Sequence, residues 1–159
     1  MKKLLQLLEE DCTLTRDQLA AMSGMTVDEV NAAVARYEEE KTILGYKAIV
    51  DWDSTDEEMV TAIIKVNLTP QRTVGFDRIA ERLYQYDEVE TVYLMSGDFE
   101  LLVVIAGRTL KEVGQFVSER LSTIEGVTNT TTHFILKKYK EKNLVFKRQE
   151  PGEREFIFV

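Results

Sequence analysis

Residues 60–139 read as one half-domain written twice, and this repeat limits the fold more than anything else in the chain. An apolar strand, Ala62-Ile63-Ile64-Lys65-Val66, precedes a helical pattern at residues 76–83, and a second strand follows at 89–95. A shift of 38 positions recovers the same order, with a strand at 101–104, a helix at 116–121 and a strand at 127–136. Val66 falls on Val104, Glu81-Arg82-Leu83 on Glu119-Arg120-Leu121, and Val89 on Val127. A repeat of this length is a supersecondary unit that cannot bury its own apolar face and stacks on a copy of itself. Strand–helix–strand taken twice gives βαββαβ, an α+β, ferredoxin-like sandwich of one antiparallel sheet under two helices.

The 159 residues allow one ordinary domain or two small ones, and 44% apolar with 30% charged residues is a globular composition. No apolar run approaches the length of a membrane span, so no membrane association is expected. The opening Met1-Lys2-Lys3-Leu4-Leu5 is basic then apolar, but Glu9-Glu10-Asp11 follows at once; it reads as a helix start rather than a signal peptide. Cys12 is the one cysteine, which excludes an intrachain disulfide, points to the cytoplasm, and is expected to be a small buried side chain.

Ahead of the repeat, Leu4, Leu5, Leu7 and Leu8 mark a short helix. Thr15-Arg16-Asp17-Gln18 and Thr26-Val27-Asp28-Glu29 are capping boxes, each opening a further helix, with Ser23-Gly24 as the stop between them. Val27, Val30, Val34 and Tyr37 follow the second box at helical spacing. Two helices joined by a tight glycine turn, propped by a third, form a helix-turn-helix. Residues 43–50 are β-prone with a Gly turn, suited to a wing or to a link. The expected division is a winged helix-turn-helix over 1–50, a linker over the acidic 51–59, the ferredoxin-like domain over 60–140, and a tail over 141–159. In that tail residues 144–146 and 156–159 are strand-like around Pro151-Gly152 and could make a hairpin, pairing with residues 48–51 or with another subunit.

This order, with Tyr37-Glu38-Glu39-Glu40, Ile43-Leu44-Gly45-Tyr46-Lys47-Ala48, Val50-Asp51, Ser96-Gly97-Asp98-Phe99-Glu100-Leu101-Leu102, Gly126-Val127-Thr128 and Thr132-His133, resembles the leucine-responsive/asparagine regulator (Lrp/AsnC) family over roughly residues 4 to 140. The resemblance implies a first domain that binds DNA. It also implies a second domain that dimerises through its sheet, assembles into larger rings and holds a small effector, usually an amino acid, at a subunit boundary near the Gly-Asp loop. The effector residues implied are Ser96, Gly97, Asp98, Phe99, Glu100, Thr132 and His133. Read from the residues alone, Gly97 permits a tight turn and close ligand approach. Asp98 and Glu100, two apart in extended chain, would point to one side and could receive an ammonium. A solvated hairpin turn also favours Gly-Asp.

The helix after Thr26 departs from the family. Its outward side is Asp28, Glu29, Ala32, Ala35, Arg36 and Glu39, whereas family members usually place basic or hydroxyl residues near the positions of Glu29, Ala32 and Ala33. Base reading favours Arg, Lys, Asn or Gln, and here Arg36 and Asn31 qualify. Thr26 opens the helix, and Lys2, Lys3, Lys41 and Lys47 are placed for phosphates from the flanks. Nucleic-acid affinity rests on phosphate neutralisation, yet the net charge is −8, with six Lys/Arg against nine Asp/Glu in residues 1–50; DNA binding is expected to be weak or narrowly specific.

His133 is the sole histidine, expected to be packed or hydrogen-bonded in a strand, and with one Cys beside it a His/Cys zinc site has no support. Trp52 is expected at a domain or dimer boundary, and Tyr84 and Tyr86 in the core or an interface. No Walker loop, nucleophile elbow or dinucleotide glycine pattern occurs, so neither a cofactor nor enzymatic chemistry is expected, although some tetrapyrrole decarboxylases share this layout. The expected function is a cytoplasmic, homo-oligomeric transcriptional regulator with an amino-acid effector. Its rival is a metabolite-binding oligomer that has lost DNA recognition and acts on partner proteins.

Overall fold

The computed structural model describes residues 2–69 and 74–146. Contacts divide the chain into two units, Met1–Ile49 and Val50–Val159.

The first unit holds three helices, α1 (Lys2–Glu10), α2 (Arg16–Ser23) and α3 (Val27–Glu39). Both capping boxes form: Thr15 and Thr26 each accept from the amide three residues on, and Gln18 and Glu29 reach back to the cap amides. Gly24 ends α2 at φ +77, the left-handed conformation that glycine adopts without a Cβ penalty. Leu4 and Leu8 of α1, Leu19 and Ala20 of α2, and Val30, Ala33, Val34 and Tyr37 of α3 make one core. Residues 44–50 form no strand, so this stretch is the link rather than the wing. A wing strand needs a partner, and the unit is otherwise helical. Tyr46 turns back instead, and its hydroxyl donates to Glu38 at 2.9 Å. Cys12 is exposed rather than buried, because it falls in the turn between α1 and α2.

The Tyr37 hydroxyl is buried with no hydrogen-bond partner among the described residues. A buried unsatisfied hydroxyl costs free energy, which its removal returns. Tyr37→Phe is therefore expected to leave stability unchanged or raise it by about 1 kcal/mol, read from the urea midpoint.

The second unit contains β1 (Val60–Leu68), α4 (Val74–Leu83), β2 (Val89–Leu94), β3 (Leu101–Gly107), α5 (Leu110–Phe116) and β4 (Val127–Phe134). One π-helical turn, Val117–Leu121, continues α5. The sheet order is β2-β3-β1-β4, all antiparallel, with Ile64 opposite both Val103 and Thr132. This is the βαββαβ arrangement that the repeat predicts. Strict alternation in β1 buries Ala62, Ile64, Val66 and Leu68 against α4 and α5, which contribute Ile79, Leu83, Val113, Phe116 and Leu121. The widened turn explains why Phe116 and Leu121, five apart, are both buried. Register puts Ile63, Lys65, Leu102, Val104, Tyr93 and His133 on the opposite face, away from the helices.

Tyr86 packs edge-on against Phe116 at the core margin, whereas Tyr84 is exposed. Trp52, half-exposed, shares a small cleft with Met59, Leu136 and Phe146 of its own unit. Lys140–Glu141 (β5) and Leu144–Val145 (β6) pair with one another across Lys142 and Asn143, which take positive φ as a two-residue hairpin requires. Residues 144–145 thus pair locally, not with residues 48–51. The strand at 156–159 and the Pro151-Gly152 turn lie outside the described residues. Among the described residues no helix is long and apolar enough to cross a membrane.

Candidate functional site

The loop between β2 and β3, residues 95–100, is a run of bends clamped onto β1, and each clamp has an identifiable donor and acceptor. β1 outruns its partner: the pairing with β3 ends at Val66–Leu101, so the next amides of β1 have no strand to meet. Glu100 replaces it. Its main-chain N–H donates to the Val66 carbonyl at 3.2 Å, and its carboxylate accepts from the Leu68 amide at 2.7 Å. Asn67 donates its side-chain amide to the Asp98 carbonyl at 2.8 Å, and Lys65 lies 3.5 Å from the Asp98 carboxylate and 4.9 Å from the centre of the Phe99 ring. Gly97 holds φ +149, in the region that favours glycine, with open space where a Cβ would stand.

This geometry changes the reading of the two acids. Because the loop bends, the same-side argument from extended chain does not apply. Glu100 is committed to the backbone, while Asp98 is 80% exposed and keeps a free oxygen beside the Lys65 ammonium. Ser96 and Gly97 are exposed next to it, and Phe99 is half-buried. Lys65 and Asn67, which the sequence reading missed, supply the clamp; their signal was two polar side chains at alternate positions of an otherwise apolar strand.

Thr132 and His133 stand elsewhere in the protomer. They pair with Ile64 and Ile63, so they lie four and five strand positions from Leu68, roughly 13 Å or more away. Being adjacent on a strand they point to opposite faces, Thr132 toward the helices and His133 outward. His133 is exposed, not packed, because the outward face carries no helix.

On α3, Asp28, Asn31, Ala32, Ala35, Arg36 and Glu39 are exposed, while Ala33 is 7% exposed and belongs to the core. An arginine introduced to build a basic face therefore fits at Ala32 but not at Ala33. Glu29, read from sequence as an acid facing the major groove, is turned back on the cap: its carboxylate accepts from the Thr26 amide at 2.8 Å and contacts the Thr26 hydroxyl at 3.1 Å. Thr26 is held in the same box. Arg36 lies over the Tyr37 ring and 4.0 Å from Glu40. Lys2, Lys3, Lys41 and Lys47 are all exposed.

The Thr26 hydrogen bonds, the amide first, hold the Glu29 carboxyl below its ordinary value of 4.5. A depressed carboxylate stabilises the fold fully above the unfolded-state value and loses that contribution as pH falls through the folded value. The capping box is thus expected intact from neutral pH to about 5 and to open below the ordinary carboxylate range. An NMR titration of the Glu29 carboxyl should give a midpoint under 4.5, and Thr26→Ala should move it back up.

The model of the Lrp/AsnC ligand binding domain matches residues 61–145. The uncharacterized HTH-type transcriptional regulator YugG of Bacillus subtilis is 46% identical over 153 residues, covering 96% of this chain and 92% of that protein. The chain belongs to the Lrp/AsnC family. Solved structures agree in fold. A transcriptional regulator of Neisseria meningitidis in complex with L-methionine superposes with a TM-score of 0.69 at 21% identity, covering 87% of this chain and 89% of that one. A feast or famine regulatory protein of Mycobacterium tuberculosis complexed with L-methionine gives 0.71 at 22%, covering 88% and 92%. As an Lrp/AsnC protein this is a helix-turn-helix transcriptional regulator with a ferredoxin-like ligand-binding domain, and the relatives it matches are named as regulators rather than enzymes.

Proposed function

We propose that this regulator binds DNA through α3 as a homo-oligomer and responds to a free amino acid held at the Gly97 loop. The observation that carries the reading is the division of labour in that loop: Glu100 and Asn67 fix the backbone, leaving the Asp98 carboxylate exposed for an ammonium. Lys65, 3.5 Å away, offers a cation for the ligand's carboxylate. Thr132 and His133 are too far along the sheet to join Asp98 within one protomer, so their part in the site requires a second subunit. The helix-free sheet face, with Tyr93, Leu102 and Val104, is a suitable surface for that association. Two structural neighbours bound to L-methionine support an amino acid as the ligand class.

On DNA, Asn31 and Arg36 would read base edges, Ala32 and Ala35 would contact thymine methyls, and Lys2, Lys3, Lys41 and Lys47 would meet phosphates. Asp28 and Glu39 stay exposed on the same helix and oppose the backbone charge. Fluorescence anisotropy of the full chain on fragments of its own promoter is the test. Binding should weaken with salt at a log–log slope of about 0.9 per phosphate neutralised, shallow because so few cations face the groove. Ala32→Arg should steepen it by about one unit. No binding at low salt, with or without amino acids, would instead favour the rival role acting through protein partners, to which the exposed acids point.

A further inference from the structure

A cleft of about 270 Å³ opens at the other end of β3, between the strand and α5. Gly107 is six residues from Leu101, so this cleft lies roughly 20 Å from the Gly97 loop. Its floor is apolar: Ile105 and Phe116 are buried core residues that also line it. Its walls carry Glu88, Glu112 and Glu119 against one cation, Arg120, giving a net charge of −2. Arg120 is already placed. It meets Glu88 at 2.6 Å and lies over the Tyr86 and Phe116 rings, 5.5 and 5.9 Å from their centres. Glu112 accepts from the Arg108 amide at 2.8 Å with one oxygen, leaving the other for a ligand. Gly107 lets α5 sit close, since a Cβ there would stand 3.3 Å from Val113. The wall residues Glu119 and Arg120 are in the π-helical turn, a distortion frequent at functional sites.

We infer that this cleft is a second ligand site, distinct from the Gly97 loop, for a small organic amine whose ammonium sits among Glu88, Glu112 and Glu119 while its apolar body lies on Ile105 and Phe116. Charge complementarity selects the cation, and the apolar floor selects an organic one. Among the described residues no group of carboxylates is close enough to hold a metal ion, which separates this cleft from a cation-binding cluster. An anion is disfavoured because Arg120 would have to leave Glu88 to receive it.

The test is a titration of the full chain with 2-phenylethylamine and with 3-phenylpropionate, followed by amide NMR. The amine should shift Gly107, Glu112 and Glu119 saturably at millimolar concentration, and the carboxylate should not. Glu119→Gln, an exposed change that leaves the core alone, should weaken the amine about tenfold, the size expected for one charge-assisted contact. Any amino-acid response at Gly97 should survive that change, so failure here is separable from failure of the effector reading. Equal binding of the carboxylate, shifts spread over every acidic surface, no binding of the amine, or an unchanged affinity in Glu119→Gln would each overturn the inference.

Discussion

Glu100→Ala is expected to release the Gly97 loop and to abolish the response to amino acids. Removing the carboxylate leaves the half-buried Leu68 amide without an acceptor at a place where β1 has no strand partner. A buried donor left unsatisfied costs about 1–3 kcal/mol, and here the cost falls on the clamp that shapes the loop. Amide exchange at Leu68 should accelerate correspondingly. Glu100→Gln keeps an acceptor without its charge and should fall between the alanine variant and the parent. If the alanine variant binds amino acids as the parent does, Glu100 is not what positions the loop. Lys65→Ala, by contrast, removes an ion pair whose carboxylate is 80% exposed, and such pairs contribute little to stability.

Leu83→Ala and Leu121→Ala should each destabilise the ligand-binding domain by about 3 kcal/mol. Both leucines are fully buried, and both belong to the same core under the sheet. They are also the same position of the repeat, 38 residues apart. Equal costs are therefore expected despite different local geometry, Leu83 ending an α-helix and Leu121 a π-turn. Leu110→Ala, at a 59% exposed site on α5, should stay within about 0.5 kcal/mol of the parent. Urea midpoints at fixed protein concentration give the comparison, because oligomerisation makes apparent stability concentration-dependent. A near-neutral Leu121→Ala would mean that the π-turn does not hold its leucine in the core.

The sandwich was legible because its signals are local. Alternation in residues 62–66, the leucine positions of the helices and two complete capping boxes each act within a few residues, and all specify the elements observed. What escaped depends on residues distant in sequence or on phase. The Glu100–Leu68 and Asn67–Asp98 bonds span 32 and 31 positions, and no pattern announces them. Ala33 sits where the apolar stripe of α3 meets its outward face, so a helical wheel decides its burial poorly. The π-turn shifts the helix phase after Phe116, which periodicity read as continuous. Thr132 and His133 lie one residue apart, and only the register with Ile64 and Ile63 says which faces the helices.

The central claim is that an amino acid binds at Asp98 in the Gly97 loop, and thermal denaturation of the full chain across the twenty amino acids tests it most directly. A ligand that binds only the folded form stabilises it by about 2.7 kcal/mol at one hundred times its dissociation constant. At least one amino acid should raise the melting temperature of the parent, and that shift should vanish in Asp98→Ala, whose exposed side chain is not needed for folding. No shift with any amino acid, or an equal shift in Asp98→Ala, would contradict the account.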